Sequence, residues 1–256
     1  MLTLQQIEQQ YPESLRTFKR NMLREYLQYK ILEIIFASEF AAKLSLLGGT
    51  ALRIIYGNKR FSEDLDFDNF GLQGGEFDML AQKVRIGLEN EGLQVVVDTV
   101  AKGAYRCNIQ LPGILFANEL SPHQSEKILI QIDSAAHEFA YEPDKKIINK
   151  FDVFAELFVT PIDILLAQKI YAAVNRKRAK GRDFFDIIFL LSMIRPNYAY
   201  LEQKIQVRNR QELKKKLQTG LQEIDLTGIV KDVEPFLFNP EDSKKIQLFK
   251  EYICCI

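Results

Sequence analysis

The chain contains no tryptophan, only two histidines and only three cysteines, and these scarcities exclude several kinds of site. Cys107 and the adjacent Cys254 and Cys255 cannot supply a disulfide framework or a zinc site of familiar spacing. No nucleophile motif such as Gly-x-Ser-x-Gly accompanies His123 or His137, so the sequence argues against a hydrolytic triad.

The sequence also lacks net charge and long apolar runs. It has 34 basic and 34 acidic residues, so no global positive field indicates nucleic-acid binding, and any RNA contact must come from a local cluster. No apolar run approaches the ~20 residues that a membrane span requires, and the start does not resemble a signal peptide. We therefore expect a cytoplasmic protein without a membrane partner.

Hydrophobic residues, in contrast, are plentiful. They make up 47% of the 256 residues, which is enough to bury a core in one large domain or two small ones. Their periodicity predicts an α+β protein, with strands and helices over residues 1–150 and a mostly helical half over residues 151–256.

Residues 46–70 carry the strongest chemical signal. They read as a strand, a turn, a short helix and a second strand in which acidic and apolar residues alternate. Because side chains of a strand alternate between its faces, Asp64 and Asp66 share one face and the apolar residues enter the core. Two adjacent carboxylates need a compensating cation or donor, and oxygen ligands suit Mg²⁺ or Mn²⁺. The pair therefore predicts a divalent metal site.

Residues upstream of these carboxylates predict a phosphate-binding site, called the phosphate seat below. Glycine lets the backbone approach a bulky anion, and a helix that begins near Thr50 directs amides toward phosphate oxygens, which favours Gly48 and Gly49 as phosphate contacts. Arg60 and Ser62 would add a cation and a hydroxyl. Alone, a glycine pair is usually a turn and Asp-x-Asp a solvated strand edge, but their order here favours function.

Two later segments add candidate residues. Residues 127–134 alternate as a strand, with Asp133 on the less apolar face, although an aspartate that ends a strand is common. Thr-Pro-Ile-Asp at 160–163 predicts a helix with a Thr N-cap and Pro at its first position. Lys169 lies on the apolar stripe of this helix, where it either snorkels to solvent or reaches a partner. A basic loop over 176–182 then precedes Asp183, which can cap the next helix.

This chain resembles the AbiEii-type nucleotidyltransferases, toxins of type IV toxin–antitoxin systems within the polymerase-β-like superfamily. The resemblance rests on Gly48-Gly49-Thr50-Ala51-Leu52 and Arg60-x-Ser62-x-Asp64-Leu65-Asp66-Phe67, and it extends to residues 127–134 and 160–190. It implies a nucleotidyltransferase-like mixed β-sheet flanked by helices over 1–150. A mostly helical C-terminal domain over 151–256 would complete the active-site cleft.

The resemblance also implies a role for each candidate residue. Three carboxylates would bind two divalent ions, Mg²⁺ or Mn²⁺, one activating the attacking hydroxyl and the other binding the triphosphate. The metal ligands would be Asp64, Asp66 and Asp133. Catalysis would involve these three together with Lys169 and Asp183. The nucleotide would contact Gly48, Gly49, Thr50, Arg60, Ser62, Lys169 and Arg182.

The implied activity is metal-dependent transfer of a nucleoside monophosphate from an NTP to an acceptor, taken to be the 3' end of a tRNA. A co-encoded antitoxin would act without forming a stable complex. Two alternatives stay open: a nucleotidyltransferase that modifies a small molecule such as an aminoglycoside, and a non-catalytic NTP-binding protein. The lack of an RNA-sized basic surface would favour the first alternative, whereas the full carboxylate set with Lys169 argues against the second.

Overall fold

The computed structural model describes residues 1–102, 104–136, 138–222 and 224–255, so His137 lies outside the described residues. The chain divides into two compact units. The first comprises Met1–Tyr56 and Phe61–Thr160, and the second comprises Gly57–Arg60 and Pro161–Ile256. The main division follows Thr160, whereas the sequence places a boundary after residue 150, because one further strand joins the sheet of the first unit.

The first unit is built on a mixed sheet that has seven strands within the described residues. Along the chain these are β1 (Leu44–Leu47), β2 (Leu65–Asn69), β3 (Val96–Lys102), β4 (Ala104–Pro112), β5 (Lys127–Ala136), β6 (Asp144–Lys150) and β7 (Val153–Val159). Their order in the sheet is β3-β4-β5-β2-β1-β7-β6. β2 runs parallel to β5, and β1 runs parallel to β7, while the other neighbours are antiparallel. The predicted mixed sheet is confirmed.

Helices flank this sheet, and two of them cover one of its faces. The helices of the first unit are α1 (Leu4–Glu8), α2 (Lys19–Phe36), α3 (Gly48–Ile54), α4 (Gly74–Asn90) and α5 (Ile114–Ala117). The ring of Phe36 in α2 lies 6.2 Å from that of Phe67 in β2, and Phe77 in α4 lies 5.4 Å from Tyr105 in β4. Because β2 side chains alternate, Asp66 belongs to the opposite face.

The first long helix is shorter than its apolar periodicity suggests. The sequence predicts helix over residues 12–42, but the α-helix occupies only Lys19–Phe36 and is flanked by 3-10 turns at Glu13–Leu15 and Ala41–Lys43. The Ser38 hydroxyl donates to the Ile35 carbonyl at 2.6 Å, which competes with continuation of the helix.

The second unit is mainly helical, as predicted for the C-terminal half. Its helices are α6 (Ile162–Asn175), α7 (Gly181–Leu191), α8 (Tyr198–Ile205), α9 (Arg210–Gly220), α10 (Leu226–Val230), α11 (Lys244–Gln247) and α12 (Phe249–Cys255). Short 3-10 turns occur at Glu234–Phe236 and Pro240–Ser243. Every described helix is too short or too polar to span a bilayer.

Candidate active site

Three polar residues form a row across neighbouring strands of the first unit. Asp66 in β2 is the register partner of Asp133 in β5, and Asp133 is in turn the register partner of Arg106 in β4. Register partners point to the same side of a sheet, and adjacent strands lie about 4.8 Å apart. Asp66, Asp133 and Arg106, called the carboxylate row below, therefore stand side by side on the face opposite Phe67.

Both carboxylate oxygens of Asp133 accept hydrogen bonds from neighbouring side chains. Arg106 Nε donates to Oδ1 at 2.9 Å, and Gln131 Nε2 donates to Oδ2 at 2.6 Å. The hydrogen bond and charge of Asp133 raise the pKa of Arg106 above its ordinary value, and the negative charge of Asp64 acts in the same direction. Asp64, which directly precedes β2, is thus close enough to act on the same guanidinium.

The glycine turn after β1 lies directly against Asp66. Gly48 has φ +73°, a conformation that L side chains rarely adopt, because the chain passes at once from β1 into α3. A Cβ added at Gly48 would lie 2.3 Å from Asp66 Oδ2. The Thr50 hydroxyl donates to the Asp64 carbonyl. The turn is therefore joined to both halves of the Asp-x-Asp segment.

A buried ion pair holds the helix that follows this turn. Arg53 in α3 places Nε 2.7 Å from Glu25 Oε2 in α2, and Lys150 Nζ lies 2.7 Å from Glu25 Oε1. Burial acts to raise the pKa of Glu25, but the charges of Arg53 and Lys150 outweigh it and lower that pKa. The carboxylate therefore stays charged, and α3 is fixed against α2.

The close approach at Gly48 leads to a stability prediction. Gly48→Ala should destabilise the protein more than Gly113→Ala, which has nearly the same φ of +74° but no atom within 4 Å of an added Cβ. The shared backbone strain costs about 1–2 kcal/mol, and the clash with Asp66 should add about 1–3 kcal/mol. Urea unfolding of both variants measures the difference. Equal losses would contradict the close approach.

The second aspartate of β2, Asp68, has a different environment. Tyr141 Oη donates to Asp68 Oδ2 at 2.7 Å and lies 2.8 Å from Thr160 Oγ1, which is 3.2 Å from Ser45 Oγ. Burial and the charge of Asp68 raise the pKa of Tyr141. Because Thr160 joins this buried network, it does not cap α6, which begins at Ile162 after Pro161; the predicted Thr N-cap is wrong.

In the second unit, Asp186 is the centre of a buried ionic cluster. It is fully buried in α7. The Arg60 guanidinium donates two hydrogen bonds to its carboxylate, from Nε to Oδ1 at 2.7 Å and from Nη2 to Oδ2 at 2.6 Å. Asn58 Nδ2 donates to Oδ1 at 2.8 Å, and Lys169 Nζ lies 2.9 Å from Oδ2. Burial acts to raise the pKa of Asp186, but Arg60 and Lys169 outweigh it and lower that pKa to about 2.

Lys169 joins Asp186 to a second buried aspartate. Its Nζ lies 3.2 Å from Asp183 Oδ1, and Asp183 Oδ2 accepts from Arg176 Nη1 at 2.7 Å. Burial acts to lower the pKa of Lys169, but the charges of Asp186 and Asp183 outweigh it and raise that pKa. Lys169 therefore remains cationic and pairs with acidic partners, which distinguishes it from a lysine that merely reaches solvent.

The structure thus places the predicted site residues in two groups. In the first unit, the glycine turn, Asp64, Asp66 and Asp133 adjoin one another. Ser62 precedes them, and its carbonyl accepts from Gln28 Nε2 at 3.2 Å. The second group comprises Arg60, Lys169 and Asp183, together with Arg182 in the first turn of α7. Arg60 is only 2% exposed, which favours a structural role over contact with phosphate.

Sequence reasoning missed Arg106, Gln131 and Asp186. Asp186 had a usable signal, since it follows Asp183 by three residues and so shares its face of α7. Arg106 and Gln131 had none, because a strand residue acquires its neighbour only when the register of the sheet is known.

The carboxylates of Asp64, Asp66 and Asp133 have the donor chemistry of a divalent metal site. Among the residues that the structure describes, no three His, Cys, Asp or Glu side chains are gathered tightly enough to hold an ion. Carboxylate oxygens are nevertheless the ligands that Mg²⁺ and Mn²⁺ prefer, and the missing side chain of Gly48 lets the Asp66 carboxylate lie directly against the glycine turn. Asp64 and Asp66 fit such an ion, while Asp133 is held beside them by Arg106 and Gln131.

A family model described as the nucleotidyl transferase AbiEii toxin of type IV toxin–antitoxin systems matches residues 30–250. The chain belongs to this AbiEii family. It is therefore related to the nucleotidyltransferase toxins of type IV toxin–antitoxin systems, in which a toxin is paired with an antitoxin. No curated protein matches the chain.

Solved structures share the fold of this AbiEii family member. MenT4, a nucleotidyltransferase toxin from Mycobacterium tuberculosis, is 14% identical with a TM-score of 0.60, over 100% of this chain and 91% of that one. JHP933 from Helicobacter pylori is 18% identical with a TM-score of 0.56, over 91% of each chain. A putative nucleotidyltransferase from H. pylori is 19% identical with a TM-score of 0.56, over 91% of this chain and 94% of that one. At these identities the likeness concerns the fold alone.

Proposed function

We propose that this protein transfers a nucleoside monophosphate from an NTP to the 3' end of a tRNA and releases pyrophosphate, with a divalent ion bound at Asp64 and Asp66. The observation that supports this most is the carboxylate row beside the glycine turn, with Asp66 in register with Asp133 and against Gly48. Family membership supplies the reaction class. The proposed location is the cytoplasm, where both NTP and tRNA occur.

Within this proposal the first unit performs the chemistry. Mg²⁺ or Mn²⁺, when bound, would make the acceptor hydroxyl more acidic and stabilise charge on the triphosphate. Asp64 and Asp66 would hold the ion, Asp66 from the rigid strand β2 and Asp64 from the residue just before it. Asp133, oriented by Arg106 and Gln131, accepts the proton of the attacking hydroxyl.

The remaining residues bind the nucleotide or maintain the structure. Gly48, Gly49 and Thr50 form the phosphate seat, with Ser62 as an additional hydroxyl. Lys169 and Arg182 retain the phosphate-binding role that family resemblance implies, and the raised pKa of Lys169 keeps its charge constant near neutral pH. We assign Arg60 a structural role in pairing with Asp186 and not a role in phosphate binding, because its Nε and Nη2 already donate to that carboxylate.

Incubation of the protein with Mg²⁺, each α-labelled NTP in turn and total tRNA tests the proposal. We expect label on tRNA from at least one NTP, and none after chelation with EDTA. Label on an added aminoglycoside but never on RNA would overturn the RNA acceptor and favour the small-molecule alternative. Label on no acceptor would overturn the proposed transfer.

A further inference from the structure

A groove in the second unit combines cations, an aromatic ring and an apolar floor. Its volume is about 520 Å³, and it extends from the end of α7 across the following loop to the start of α9. The arginine groove, as we call it, is lined by three arginines, a tyrosine and apolar side chains that include Arg195, Arg208, Arg210, Tyr198, Leu191 and Leu213. Ligand sites in proteins commonly have volumes of roughly 300–1,000 Å³.

The positive charges converge on the tyrosine. Burial raises the pKa of Tyr198, and the charges of Arg195 and Arg210 oppose that rise, so both guanidinium groups lie near one phenol. Both arginines are exposed, and within the described part of the chain neither forms an ion pair with a carboxylate. They can therefore bind an anion without first giving up a protein partner.

Two acidic residues face the third arginine. Arg208 Nε lies 2.8 Å from Glu202 Oε1, and Glu212 Oε2 accepts the backbone amide of Arg208 at 2.8 Å. The Arg208 guanidinium is thus already paired with a carboxylate, unlike those of Arg195 and Arg210 among the residues that the structure describes. The N-terminus of α9, which starts at Arg210, adds a partial positive charge at the same end of the groove. The positive charge of the groove therefore comes mainly from Arg195 and Arg210, because Glu212 in the first turn of α9 offsets the partial charge of that helix end.

We propose that the arginine groove binds a single-stranded segment of RNA, with phosphates on Arg195 and Arg210 and a base against Tyr198. Proteins bind single strands through a cationic track combined with aromatic side chains on which bases stack, and the groove supplies both. The apolar side chains of the groove can pack against a nucleobase. Inorganic phosphate has no base and would leave them without a contact. The choice of RNA rests on the proposed function, because an RNA acceptor must be held while its 3' end reacts.

The test is fluorescence anisotropy of the full chain with a fluorescein-labelled ten-nucleotide uridine oligomer. In Arg195→Gln/Arg210→Gln, the Kd should rise at least tenfold. The slope of log K against log salt should weaken by about 1.4, from two lost phosphate contacts at about 0.7 each. Lys215→Gln/Lys216→Gln, which removes two exposed charges from the same α9, is the matched control and should keep at least half of the affinity.

A second pair of variants probes stacking without a change of charge. Tyr198→Leu should raise the Kd about tenfold, and Tyr198→Phe should leave it nearly unchanged, because only the leucine lacks an aromatic face. An unchanged Kd in Tyr198→Leu would overturn the inference, as would a wild-type chain that does not bind the oligomer. Equal losses in both double variants would also overturn it.

The outcome for the groove can be separated from the outcome for the proposed function. If the protein labels tRNA but the groove variants bind the oligomer as the wild type does, only the groove assignment fails. If the oligomer binds through the groove but no NTP ever labels an acceptor, only the proposed transfer fails.

Discussion

Asp66→Ala is expected to reduce nucleotidyl transfer by about 10³-fold or more and to abolish growth arrest in cells that express the protein. Asp66 is half-buried, lies in the carboxylate row beside Asp133, and borders the glycine turn. Its removal would leave the proposed ion with one fewer oxygen ligand at the triphosphate. Because its face of the sheet is not the one packed against α2 and α4, the core should be unaffected. Labelled transfer to tRNA measures the loss.

The control for this prediction is Asp98→Ala, which removes an exposed aspartate from β3 of the same sheet. Asp98→Ala should retain the full rate of nucleotidyl transfer. It therefore distinguishes the effect of removing any carboxylate from the sheet from the effect of removing one at the proposed metal site. Isothermal titration with Mn²⁺ should show weaker binding in Asp66→Ala only. Wild-type turnover or growth arrest in Asp66→Ala, with the thermal midpoint unchanged, would contradict the assigned metal site.

The parts of the fold that sequence predicts well are those determined by neighbouring residues. β1 follows from the apolar run that ends at the glycines, the core-facing side chains of β2 follow from local alternation, and β5 begins where its alternating isoleucines begin. What alternation cannot supply is the pairing of strands. The sequence shows that Asp133 lies on a polar face, but only the parallel register of β2 with β5 makes it the neighbour of Asp66.

Arg60 shows how proximity along the chain can mislead. Since it lies four residues before Asp64, the sequence suggests that both serve one triphosphate. In the structure, Arg60 instead binds Asp186, which is 126 residues away, and its bridge to Leu237 places Gly57–Arg60 in the second unit. No local pattern encodes such a partner. A buried arginine is costly unless paired, so its partner had to exist, but only the fold identifies it.

Asp186→Ala is expected to cause the largest loss of stability, about 3–5 kcal/mol at pH 7. The carboxylate is fully buried and receives Arg60, Lys169 and Asn58, so its loss leaves two buried cations without this partner. Urea unfolding followed by circular dichroism measures the change. The matched control is Glu241→Ala, because Glu241 pairs with Lys244 on the surface and such pairs contribute at most about 1 kcal/mol.

The pH dependence of this loss distinguishes the ion pairs from simple packing. The pKa of Asp186 is lowered to about 2, whereas an unfolded aspartate titrates near 3.9. A depressed folded-state pKa stabilises the protein fully above the unfolded value, and this contribution disappears as the pH falls through about 2. The stability gap between wild type and Asp186→Ala should therefore be largest at pH 5–7 and shrink between pH 4 and pH 2. A gap that stays constant over that range would show that Asp186 contributes volume and not charge.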